Sequence, residues 1–70
     1  MNVLYSNGCP KCKALEIELK QNNIQYQKVD DMEKIMNVAR ENELSTVPLL
    51  DNGIDILTYE QAIGWIKGGK

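Results

Sequence analysis

Asn2-Val3-Leu4-Tyr5-Ser6-Asn7-Gly8-Cys9-Pro10-Lys11-Cys12 is the stretch whose reading decides this chain. Residues 2–5 make a short β-prone run, and Ser6-Asn7-Gly8 is a loop cluster that ends it. Proline is favoured at the first helical position, where its missing N–H would be unpaired anyway, so Pro10 marks a helix start. The two cysteines of the chain therefore sit at the opening of a helix. The first sulfur lies over unsatisfied backbone N–H groups and the positive end of the helix dipole, which together favour thiolate over thiol. A pair so placed reads as a redox dithiol.

Working outward, Cys12, Leu15 and Leu19 recur at spacings of three and four, which predicts a helix over 10–22 closed by Asn22-Asn23. Ile24 to Val29 alternates well enough for a strand. Asp30 or Asp31 caps a second helix through about residue 42, where Met32, Ile35, Met36 and Ala39 form the apolar stripe. The two methionines on that stripe read as core filler. Thr46 to Leu50 and Ile54 to Leu57 flank Asp51-Asn52-Gly53, a strong hairpin signal, so those two strands are expected side by side and antiparallel. Thr58 and Gln61 have capping-box spacing, and Tyr59, Ala62, Ile63 and Ile66 line a third helix that Gly68-Gly69 stops. Trp65 reads as packing or surface. The order β-α-β-α-β-β-α predicts an α/β domain over 1–70: a four-stranded mixed sheet, its first two strands parallel, with three flanking helices.

Seventy residues make one small domain, which buries about 60% of the surface its unfolded chain exposes. A disulfide across Cys9 and Cys12 closes so short a loop that it contributes roughly 2 kcal/mol, so the pair is poorly placed to hold the fold together. The opening Met1-Asn2-Val3-Leu4-Tyr5 has no leader pattern, and nowhere is there the run of about 18 apolar residues that spans a membrane, so a soluble cytoplasmic protein is expected. Thiols are kept reduced in that compartment, which favours a catalytic or metal-binding role over a structural one. A formal charge of −2 without a basic cluster gives no footprint for nucleic acid or anionic lipid. The absence of histidine removes Cys-His catalysis and mixed Cys/His zinc sites.

Two other classes fit the same pair of cysteines. A metal-handling or iron–sulfur module would use the same Cys-x-x-Cys, as copper chaperones do at a first loop-to-helix junction. Those have the order β-α-β-β-α-β and lack the proline. Two thiolates also cannot complete a tetrahedral zinc site within one chain, so a metal or cluster would need a dimer or outside thiols such as glutathione. The third class is a non-catalytic interaction domain, against which the intact cysteines argue.

Cys9-Pro10-Lys11-Cys12 at the first strand-to-helix turn, Thr46-Val47-Pro48 before the hairpin, and this order of elements resemble a glutaredoxin of the thioredoxin-like superfamily, over the whole chain. The resemblance implies a thioredoxin-like, glutaredoxin-type fold and a small monomeric thiol–disulfide oxidoreductase with no bound cofactor. By the same resemblance Cys9 is the exposed attacking thiolate, Cys12 is the resolving thiol, and the two form a disulfide when oxidised. It also implies a cis Val47–Pro48 bond, with Pro48 facing the dithiol and the Val47 backbone, next to Thr46, free to pair with an extended substrate. Lys11 stands where the family usually has tyrosine. A cation there would lower the pKa of the thiolate beside it; the alternative reading of Lys11, as of Lys13, is a solvated side chain.

The chain departs from the family at the places that meet glutathione. No lysine precedes Cys9, and Ile56-Leu57-Thr58-Tyr59-Glu60 stands in place of the usual Gly-Gly-acid run. Glutathione as co-substrate and a flavoprotein reductase both remain open as electron donors. The expected partners are a protein disulfide, ribonucleotide reductase among the candidates, or a glutathione mixed disulfide.

Overall fold

The computed structural model describes residues 2–68, in the order β1 (Val3–Tyr5), α1 (Pro10–Gln21), β2 (Gln27–Val29), α2 (Met32–Glu41), β3 (Leu49–Asp51), β4 (Ile56–Leu57), α3 (Tyr59–Lys67). The strands form one four-stranded mixed sheet in the order β2-β1-β3-β4. β1 pairs parallel with β2 and antiparallel with β3, and β3 pairs antiparallel with β4. This is the α/β layout with three helices that the pattern predicts, down to the parallel first pair and the closing hairpin. Gly69, expected to help stop the last helix, lies outside the described residues. Among the described residues no helix is long and apolar enough to cross a membrane.

Register builds the core. Leu4 and Leu50 stand directly opposite each other on β1 and β3 and so share one face of the sheet. Leu15 and Leu19 from α1 and Ala62 and Ile66 from α3 close over them, with Trp65 and Tyr26 packed at the margin. Each such leucine, removed from water, contributes about 1.5–3 kcal/mol. Side chains alternate along a strand, so the buried Leu49 points to the opposite face from Leu50.

Three predicted boundaries and one predicted buried face shift. The strand expected from Ile24 begins only at Gln27, because the end of α1 winds past Asn22. Asn23 adopts φ 57 and the Ile24 N–H returns to the Leu19 carbonyl at 2.9 Å, the pattern of a left-handed helix end. The strand expected from Thr46 begins at Leu49, after a cis Val47–Pro48 peptide. Ile54 is 86% exposed in the hairpin turn instead of opening β4. There Asn52 Oδ1 accepts from the N–H groups of Ile54 (2.9 Å) and Asp55 (2.8 Å), and Gly53 takes φ 91. The fourth shift concerns α2. It starts as predicted, with Asp31 Oδ1 accepting from the Glu33 N–H at 2.9 Å, but of its stripe only Ile35 is buried. Met32 and Met36, expected in the core, are 49% and 53% exposed.

Candidate active site

The loop between β1 and α1 is tied down by its own side chains. Ser6 is held at the end of β2 by its N–H, which donates to the Val29 carbonyl at 3.0 Å. Its fully buried hydroxyl accepts from the Gly8 N–H at 3.3 Å. Asn7 Oδ1 accepts from the Cys9 N–H at 3.1 Å, a turn that asparagine forms readily with the residue two positions on. Gly8 completes the bend at φ 85, where a side chain would be strained although space is open around it.

Those contacts present Cys9 as the N-cap of α1. Its sulfur takes the place that a serine or aspartate oxygen usually fills, accepting from the Cys12 N–H at 3.2 Å. Pro10 follows as the first helical residue, and the Lys13 N–H makes a first helical bond to the Cys9 carbonyl at 3.0 Å. Cys12, one turn in, is fully buried, and its thiol donates to Asn7 Oδ1 at 3.5 Å. Both thiols are free, and Cys9 is half-buried.

The electrostatics of the pair act on the two sulfurs in opposite directions. Burial lifts the Cys9 thiol above its ordinary value and the Cys12 side chain lifts it further, while the backbone N–H groups of Cys12 and Lys11 offset part of this. Burial acts the same way on Cys12, but the side chains of Cys9 and Ser6 and the N–H groups of Asn7 and Cys9 outweigh it and draw Cys12 below its ordinary value. Burial and the neighbouring sulfur thus work against charge on Cys9, and the donors that converge on Cys12 work toward it. The two sulfurs compete for one negative charge, and the buried one collects more donors. Access runs the other way. Only Cys9 has a sulfur that an incoming disulfide reaches.

The Lys11 ammonium lies 3.9 Å from Glu60 Oε1 and 5.5 Å from the centre of the Tyr59 ring, which directs it at the start of α3. Its backbone N–H acts to lower the Cys9 thiol. Of the remaining predicted site residues, Pro48 is buried, while Thr46 and Val47 line a groove together with Asn7. Thr46 Oγ1 donates to the Val47 carbonyl at 3.3 Å.

Ser6 and Asn7 are residues that contact the dithiol loop and that the sequence pattern left as ordinary loop. The available signal was a serine and an asparagine each placed two residues before a backbone N–H that needs an acceptor. Among the described residues no three Cys, Asp or Glu side chains converge to hold a metal ion. Compared with known protein families, curated proteins and solved structures, the chain matches none.

Proposed function

We propose that this chain is a thiol–disulfide oxidoreductase of glutaredoxin type, its α/β layout being compatible with a thioredoxin-like fold. The observation that carries the reading is the division of labour between the sulfurs: Cys9 caps α1 within reach of solvent, and Cys12 is buried one turn behind it. The Cys9 thiolate attacks one sulfur of a substrate disulfide. A new S–S bond forms to Cys9, and the other substrate sulfur leaves as a thiolate that takes a proton from water. Cys12 then attacks the Cys9 sulfur, the Cys9–Cys12 bond forms, and the second substrate sulfur leaves. Two electrons have passed from the dithiol to the substrate. Two equivalents of a thiol such as glutathione, or a dithiol reductase, restore the pair.

In this cycle Ser6 and Asn7 serve the second attack. The amide oxygen accepts a hydrogen bond from Cys12 while it is a thiol, and the Ser6 hydroxyl favours its thiolate.

Disulfide reduction by Cys9→Ser and Cys12→Ser variants tests the reading. Cys9→Ser is expected to abolish turnover, and Cys12→Ser to accumulate a mixed disulfide on Cys9 that mass spectrometry detects. Turnover that survives Cys9→Ser would refute the proposal. Equal small losses in both variants, with tight metal binding lost in each, would move the assignment to a metal-handling module.

A further inference from the structure

A groove of about 440 Å³ runs from the dithiol loop along α2, with Asn7, Met32, Ile35, Met36, Arg40 and Val47 among the residues that line it. That volume lies in the range of sites that hold small ligands and short peptide segments, about 300–1,000 Å³. Its far wall is the α2 stripe on which Met32 and Met36, four residues apart and so on one face, are each about half exposed. Methionine is flexible and polarisable, and it moulds to apolar side chains of differing shape. Arg40 is the one charged residue in the lining. Asn7 sits at the near end, with its oxygen 3.1 Å from the Cys9 nitrogen and 3.5 Å from the Cys12 sulfur. Asn7 thus belongs both to the groove and to the loop that carries Cys9.

We propose that this groove binds a segment of a protein disulfide substrate, with an apolar side chain beside the substrate cysteine seated on Met32 and Met36 and an acidic side chain following at Arg40. The inference rests on the thiol–disulfide reading and adds which disulfides are preferred. Glutathione fits the groove poorly. It carries two carboxylates and no apolar side chain beyond its own cysteine, so it would leave both methionines uncovered. Seating a leucine side chain out of water is worth about 1.5–3 kcal/mol, a preference of roughly tenfold or more.

The test uses the full chain and two peptides, each carried as a mixed disulfide with 2-mercaptoethanol, one containing Cys-Leu-Glu and the other Cys-Ser-Lys. The expected ratio of kcat/KM, first peptide over second, is about tenfold or more. Met32→Glu and Met36→Glu should bring that ratio toward one, Met36→Leu should keep it, and Arg40→Glu should reverse the part due to the acidic residue. Ile54→Glu, which places the same charge on the exposed hairpin turn, should leave the ratio as it was. A ratio of rates does not depend on how much of a variant is folded. Equal kcat/KM for both peptides in the unaltered protein overturns the groove proposal and leaves the redox reading standing. Absence of reduction of any disulfide overturns both. A dimer in sedimentation that Met36→Glu dissociates overturns the groove proposal as well, because a second copy then covers this face.

Discussion

Asn7 Oδ1 lies 3.5 Å from the Cys12 sulfur and accepts a hydrogen bond from the buried thiol. The same oxygen holds the Cys9 N–H, so one uncharged amide braces both redox positions. Replacing it with a carboxylate, Asn7→Asp, keeps the acceptor and its shape but sets a negative charge against the Cys12 thiolate. The second step is expected to slow, on the order of tenfold at neutral pH for each unit by which Cys12 rises. Quenched-flow trapping of the mixed disulfide across pH measures this. Unchanged release with an unchanged pH profile would remove Asn7 from the mechanism.

Cys12 also governs when Cys9 ionises, since its side chain lifts the Cys9 thiol both through their hydrogen bond and through charge. In Cys12→Ser that charge is gone while the backbone N–H at position 12 still donates to the Cys9 sulfur. The pH profile for alkylation of Cys9 should therefore move to lower pH in Cys12→Ser than for Cys9 in the unaltered protein. A profile that stays put or moves upward contradicts the sharing of one charge between the sulfurs.

Away from the dithiol, Tyr26 donates its hydroxyl to Glu16 Oε1 at 3.0 Å. Burial, with the Glu16 carboxylate adding to it, pushes the phenol from 10.0 up to about 12. The folded state therefore favours the protonated phenol, and the contribution is complete below the unfolded value. It is lost as pH rises from about 10 to about 12. Tyr26→Phe should flatten that decline in urea midpoints measured across alkaline pH. An equal decline in both proteins assigns it to another group.

The outward turn of the α2 methionines makes a stability prediction of its own. Ile35→Ala removes the one side chain that α2 buries and is expected to cost about 2–5 kcal/mol. Met36→Ala, at a position 53% exposed, is expected to stay within about 0.5 kcal/mol of the unaltered protein. Chemical denaturation of both variants decides between this arrangement and a core role for Met36, which would bring the two losses together.

Much of this molecule was legible in the residues alone. The element order follows from Leu15 and Leu19 at helical spacing, from Asn52-Gly53 between two apolar runs, and from Pro10 at a helix start, all short-range signals that act within a few residues. The position of Cys9 over the N-terminus of α1 is legible for the same reason. Other features belong to the tertiary structure. Helical period shows that Met32, Ile35, Met36 and Ala39 share a stripe, but only the placement of α2 decides that its core contact narrows to Ile35 and leaves the methionines facing a groove. Likewise, a helix start predicts a thiolate on Cys9. Cys12 is nonetheless the thiol drawn below its ordinary value, because the side chains of Cys9 and Ser6 and the N–H groups of Asn7 and Cys9 converge on the buried sulfur. Local spacing determines which elements form; which faces stay open and which sulfur gathers the donors depend on distances through space that spacing along the chain does not encode.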